Sequence, residues 1–291
     1  MNTSYDQKID KKDGAPKANS GDGINTLSDI LDRLDITNND ELLFQDPPTR
    51  KECPICMLPM PHSSGVCGVE VSYMTCCGMI VCSGCTFAEI QEMEKGTIKK
   101  CCAFCRMPIY RTDKEFVKRI KKRMKLNDAD AFFSMGCLYY HGQRGLSQDR
   151  NKGLVLWNQA AELGLVNAHY NLSTAYFSGD GIEKDMKKAT YHYKMAAIGG
   201  HEEARHNLGC MDERSGNHLQ AMKHYMIAAR AGYDSSLKIV SQGYKHGLVT
   251  KDEYASTLRA FQVSIDEMKS EQRTEASFAT TKRIDAAAAR R

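Results

Sequence analysis

Ten of the twelve cysteines lie between Cys53 and Cys105. Eight of them fall in pairs: Cys53-Pro-Ile-Cys56, Cys76-Cys77, Cys82-Ser-Gly-Cys85 and Cys102-Ala-Phe-Cys105. Four thiolates close a tetrahedral zinc site, so eight are enough for two Zn2+ ions. Three pairs have the two-residue spacing that lets both sulfurs reach one metal from a tight turn. The stretch from Cys53 to Pro108 has too few aliphatic residues for a self-sufficient core, so metal must supply the missing stability.

The chain must position these thiolates while keeping them reduced. Its N-terminus lacks the basic-then-apolar pattern of a signal peptide, and no run of 18 apolar residues marks a membrane helix. A soluble cytoplasmic and/or nuclear location is therefore expected, where cysteine clusters are more often metal sites than disulfides. Apolar content of 42% and charged content of 26% are those of an ordinary globular protein. A net charge of +4 does not by itself argue for nucleic acid or an anionic membrane.

Residues 1–50 are expected to be mostly disordered, since residues 1–26 hold almost nothing apolar to offset ordering entropy. A short helix is expected near 27–35, with Leu27, Ile30, Leu31 and Leu34 on one face. Pro47-Pro48 leads into the cysteine domain, 51–110. Within it, Cys85–Lys95 reads as a helix with Phe87, Ile90 and Met93 apolar, closed by Gly96. A connector helix over 111–127 opens at Thr112-Asp-Lys-Glu115, which has capping-box form. Its basic face, Lys118 to Lys125, is read as solvated, with a nucleic-acid patch as the alternative.

From 128 to 260 the sequence repeats itself, in units of about 128–164, 165–200 and 201–232 and a degenerate unit at 233–260. Asp130–Gly136 aligns with Asn167–Ser173 and Glu203–Gly209, and the Ala-Ala pairs at 160, 196 and 228 are 36 and 32 residues apart. Each unit reads as two antiparallel helices, stacked as a solenoid. Ala160-Ala161 and Ala196-Ala197 permit close helix approach, and Tyr140, Trp157, Tyr176 and Tyr193 fill the layers between. Asp149 and Asp185 are placed to cap the second helices. A capping helix over 250–273 is expected to seal the stack, followed by a loose tail, 274–291.

The cysteine segment resembles a RING domain, on the strength of its Cys-Pro-Ile-Cys start and its Cys-Ala-Phe-Cys-Arg-Met-Pro end. The resemblance implies a cross-brace, with Cys53, Cys56, Cys82 and Cys85 on one zinc and Cys76, Cys77, Cys102 and Cys105 on the other. Where most RINGs carry a histidine ligand this chain has Met79, a poorer zinc ligand, so the Cys76-Cys77 doublet stands in for it. Cys67 or His62 is the alternative to one of the doublet, and Cys101 is spare. Residues 129–260 are similar to Sel1-type repeats, through the run Gly179–Ala189 and the Ala-Ala-x-x-Gly that follows. The combination resembles a RING–Sel1 family of ubiquitin-ligase type: a small zinc-stabilised RING-like domain followed by an all-α solenoid of Sel1-like hairpins.

That resemblance implies catalysis by orientation: a RING holds a ubiquitin-charged conjugating enzyme in a reactive pose. Ile55, with Phe87 or Ile90 on the helix, would dock the conjugating enzyme, and Arg106 would be the linchpin touching both it and ubiquitin. The repeats would bind a protein substrate or partner. Two departures qualify the match: Ala103 stands where the family has proline, and the family's tryptophan is absent from the helix. The alternatives are a non-catalytic zinc scaffold for protein contacts and, against the scarcity of aromatics near the basic helix, a nucleic-acid binder.

Overall fold

The computed structural model describes residues 40–60, 71–180 and 182–288. The helix expected at 27–35, the segment before it, and the alternative ligands His62 and Cys67 lie outside the described residues.

The chain enters through a single helical turn, α1 (Asp40–Leu43). The cysteine domain then pairs two three-residue strands, β1 (Val71–Tyr73) and β2 (Ile80–Cys82), antiparallel with Ser72 opposite Val81. Helix α2 (Ser83–Lys95) follows directly, and Gly96 closes it at φ +77°. The domain's core is Cys53, Val81, Cys82 and Cys85, with Cys56, Met60 and Met74 packed around it. Four of these seven residues are cysteines, so among the described residues the interior has little apolar surface beyond its sulfurs.

Helix α3 (Asp113–Met124) is the connector. Thr112 accepts from Glu115 N as a capping box requires, but the Glu115 carboxylate reaches back to Arg111 N rather than to the cap. The basic face is partly used structurally. Arg119 pairs with Glu115, and Arg123 meets Asp128 at 2.6 Å. Asp128 also accepts from Tyr73 OH at 2.8 Å and caps the next helix, which ties the cysteine domain to the helical stack.

Four hairpins build the stack. They are α4 (Ala129–His141) with α5 (Arg150–Glu162), α6 (Val166–Ser178) with α7 (Met186–Ile198), α8 (Glu202–Arg214) with α9 (His218–Arg230), and α10 (Asp234–Lys245) with α11 (Lys251–Met268). Asp149 and Asp185 cap α5 and α7 by accepting backbone N–H groups. The aligned positions Gly136 and Gly209 explain the small residues of the repeat. A Cβ on Gly136 would sit 2.5 Å from the Trp157 ring, and one on Gly209 would sit 2.7 Å from the Tyr225 ring. The first and third hairpins thus slot a large ring of the second helix against a glycine of the first. The alanines of all three Ala-Ala pairs are buried.

The C-terminal end departs from expectation. The last helix of the stack stops at Met268, and a second helix, α12 (Glu271–Ala288), takes up the described part of the segment expected to be a loose tail. Lys269 is extended, and Ser270 Oγ accepts from Arg273 N to start the new helix. Helix α12 turns back and packs on α2 of the cysteine domain. The tail is ordered because a surface far away in sequence covers Arg273 and Ala276, a partner that no local pattern reveals. Among the described residues no helix is long and apolar enough to cross a membrane.

Candidate metal centres and the groove beside them

The first and fourth cysteine pairs sit in two copies of one loop. In the first, Met57 N donates to Cys53 O at 2.8 Å and Cys53 N donates to Leu58 O at 2.9 Å. In the second, Arg106 N donates to Cys102 O at 3.0 Å and Cys102 N donates to Met107 O at 2.9 Å. Met57 and Arg106 take the same left-handed backbone, both at φ +57°, and a bridge to Pro59 or Pro108 closes each loop. The conformation turns the chain so that two sulfurs with two residues between them reach the same cluster.

These loops meet the two other pairs in alternation. The sulfurs of Cys53, Cys56, Cys82 and Cys85 all lie within 4.8 Å of one another, as do those of Cys76, Cys77, Cys102 and Cys105. Cys53–Cys85, Cys56–Cys82 and Cys77–Cys102 are 3.9, 3.8 and 3.7 Å apart. A tetrahedron with metal–sulfur bonds near 2.3 Å has edges of about 3.8 Å, whereas a disulfide is about 2.05 Å. The donor set and its spacing therefore fit a tetrahedral soft metal. The adjacent doublet reaches one cluster because the turn is tight: Cys77 N and Gly78 N both donate to Met74 O, and Gly78 takes φ +80°. Met79 and Cys101 belong to neither cluster among the described residues.

The thiols of the two clusters are unequally disposed to ionise. Burial and hydrogen bonding with Cys105 and Cys102 push the Cys76 thiol up, and burial and Cys82 do the same at Cys85. Burial also raises Cys53, but N–H groups of Cys82, Cys56 and Ile55 outweigh it and bring that thiol down to about 6. Like charges so close disfavour joint ionisation, so four thiolates in one cluster fit together only where a cation offsets them.

Sequence reasoning missed Arg273. From α12 its guanidinium donates to Pro59 O and Met268 O at 2.8 Å and to Cys56 Sγ at 3.5 Å. Burial works against its charge, and the sulfurs of Cys82 and Cys56 more than restore it. The signal in the sequence is a single arginine after a serine cap, which is too common to single out.

Beside the clusters runs a groove of about 1080 Å3. Ile55, Ile98, Ala103, Arg106 and Pro108 line it together with Ala88, Glu89 and Glu92 of α2 and Gln272 of α12. Ile55 and Ile98 are 43% and 44% exposed, and Arg106 is exposed with no side-chain partner among the described residues. The groove thus brings Ile55 and Arg106 together. Phe87 and Ile90 are not among its lining, although both lie on α2. Ile98 is a lining residue that the sequence reading did not select.

Residues 129–165, 166–201 and 203–233 match the Sel1 repeat family, one match for each of the first three hairpins. The cysteine domain lies outside that match. Chitin synthase regulatory factor 4 of Schizosaccharomyces pombe is 28% identical over 123 residues, which is 42% of this chain and 19% of the relative. The match therefore spans only about a fifth of that relative's length. Among solved structures, a Sel1 repeat protein from Oxalobacter formigenes is 22% identical, with 62% of this chain and 72% of that one covered at a TM-score of 0.46. The protective antigen c5321 of uropathogenic Escherichia coli, displaying an SLR fold, is 20% identical, with 70% and 45% covered at a TM-score of 0.40.

Proposed function

We propose, with residues 129–233 as a stack of Sel1 repeats, that this chain is a RING-type ubiquitin-protein ligase whose repeats bind a protein substrate or partner. In this reading Cys53, Cys56, Cys82 and Cys85 hold one Zn2+, and Cys76, Cys77, Cys102 and Cys105 hold a second. The metals supply rigidity rather than reactivity, since a zinc with four thiolate ligands has no open position. A centre of that kind carries a net negative charge, and Arg273 beside Cys56 offsets part of it.

The observation that carries the proposal is the groove beside both clusters, which is lined by both an exposed Ile55 and an Arg106 that has no side-chain partner among the described residues. Ile55 offers an apolar contact for a conjugating enzyme. Arg106 is presented by a left-handed turn, and its five donors can bridge carbonyl groups of two bound proteins. Holding a thioester-linked ubiquitin in one pose accelerates its transfer without a base or nucleophile from this chain. The repeats add a stack of ridged helical surface of the kind that mediates protein–protein interaction.

The test is discharge of ubiquitin from a panel of charged conjugating enzymes. The wild type is expected to accelerate discharge, and Ile55→Ala and Arg106→Ala to lose the acceleration while keeping their metal. A second reading, a zinc-stabilised scaffold without catalysis, is favoured by Ala103 and by the absence of Phe87 and Ile90 from the groove. No acceleration with any enzyme of the panel decides for the scaffold.

A further inference from the structure

Helix α1 and the residues that follow it do not behave as a linker. Leu43 is 4% exposed, inserted among Tyr170, Tyr193, Ala196, Ala197, Ala204 and Leu208 of α6, α7 and α8. Leu42 packs with Tyr191 on Met195 of α7. Phe44 lies against His224 of α9, ring centroids 4.7 Å apart, with Lys223 Nζ 5.4 Å from its ring. Farther on, Pro48 faces Gly200, and Arg50 donates to Ala231 O, so the segment tracks the stack from one inter-repeat turn to the next.

The contact at its centre is built from the repeats. Arg205 of α8 is 2% exposed, and its guanidinium donates to Leu43 O and, at 2.8 Å, to Ala197 O. Its charge is met by carbonyl oxygens and by the field of Asp46 rather than by a paired carboxylate. A cation so placed reads a main-chain carbonyl, the one group that every peptide offers. Charge is complementary at Asp46, whose field falls on Arg205. The segment reads Asp40-Glu41-Leu42-Leu43-Phe44-Gln45-Asp46, Lys223 lies by Phe44, and Lys194 and Arg205 act on His224, with Asp212 at 3.4 Å the acid on its other side. His224 Nδ1 is buried without a hydrogen-bond partner among the described residues, so the segment does not satisfy everything the groove offers. Helices α6 to α9 pack directly on one another, and only one turn of the segment is regular structure.

We propose that α6–α9 form a peptide-binding groove, that residues 42–46 occupy it as a tethered ligand, and that an acidic Leu-Leu-Phe segment of a partner protein takes their place in trans. This deepens the reading of the repeats as the partner-binding half of the molecule and rests on it. Tethering gives the cis segment an effective concentration on the order of 1 mM. For a peptide of Kd about 10 μM, the cis segment therefore weakens apparent binding in trans about 100-fold.

The experiment measures anisotropy of a labelled peptide, residues 40–48, on the full-length chain. A release variant, Leu43→Asp with Phe44→Ser, is expected to bind it about 100-fold more tightly than the wild type. Adding Arg205→Ala to the release variant is expected to abolish that gain, as is Leu43→Asp in the peptide. A release variant that keeps its helical content and melting temperature yet does not bind overturns the proposal. If that variant fails to fold, a protease site between Pro48 and Thr49 of the wild type decides the matter. After cleavage, exchange of the N-terminal fragment for free peptide supports the groove. A fragment that resists excess peptide, or repeats that melt when it leaves, makes the segment part of the fold and overturns the proposal. A wild-type dimer dissociated by the peptide assigns the groove to a second copy and overturns the partner. None of these readouts involves ubiquitin, so failure here leaves the discharge assay standing, and the reverse.

Discussion

Gly84 is the most informative single position for the link between the two ends of the chain. It is the second residue of α2, where alanine ordinarily stabilises a helix by up to about 1 kcal/mol over glycine. A Cβ at this position would meet Arg273 N at 2.7 Å, Arg273 Cγ at 2.8 Å and Arg273 Cα at 3.0 Å. Two of those atoms are backbone of α12, so a side-chain rotation cannot relieve the clash. Overpacking of this kind costs about 1–3 kcal/mol, which exceeds the propensity gain. Gly84→Ala is therefore expected to destabilise the contact by about 1–2 kcal/mol net, with α12 lifting from α2. Hydrogen exchange by mass spectrometry should show faster exchange over residues 271–288 and little change in the repeats. Limited proteolysis should cut the variant first near Lys269. A variant that melts higher than the wild type, with α12 equally protected, would refute the packing of α12 on the cysteine domain.

The remaining predictions concern the stack, its junction and the ligands. His192 and His224 are buried, and burial, reinforced by His169 and Lys188 at the first and Arg205 and Lys194 at the second, brings each from 6.5 to about 3. Both are neutral in the folded state, and unfolding below pH 6.5 takes up protons. Their stabilisation is thus complete above pH 6.5 and lost as pH falls toward 3, by roughly 1.4 kcal/mol per pH unit for each histidine. Fluorescence of Trp157, the one tryptophan of the chain and 2% exposed, should report this in denaturant titrations, and His224→Phe should make the slope shallower by roughly 1.4 kcal/mol per pH unit. Asp128→Ala removes the cap of α4 and the acceptor shared by Arg123 and Tyr73, so a loss of about 2–3 kcal/mol is expected in chemical denaturation. Gly209→Ala should cost about 1–3 kcal/mol through its 2.7 Å approach to Tyr225, while Gly247→Ala, which meets no atom within 4 Å, should act only through its left-handed backbone.

Legibility followed the range of the interactions. The hairpins were readable because a repeat writes the same local demand several times: Asp149 and Asp185 as caps, Ala-Ala pairs as contact points, Gly136 and Gly209 against facing rings. The pairing of cysteines was readable as a count of donors, and the resemblance, not the spacing, supplied the alternation that the clusters adopt. Contacts between segments far apart in sequence left no pattern. Arg273 looks like any helical arginine until Cys56 and Pro59 are seen to surround it. Leu43 and Arg205 are separated by 162 residues, and neither stands out without the other. Phe87 and Ile90 were chosen by their place on α2, yet the groove beside the clusters uses Ala88, Glu89 and Glu92 of the same helix.

The two-metal arrangement is the claim on which the proposed ligase function depends, and metal analysis of the purified full-length chain tests it directly. Two zinc ions per chain are expected in the wild type. Cys53→Ser and Cys77→Ser are each expected to lower the content, and chelation is expected to melt the cysteine domain while Trp157 fluorescence stays native. Fewer than two zinc ions in a folded wild type, with the eight paired thiols all open to alkylation, would contradict the interleaved sites.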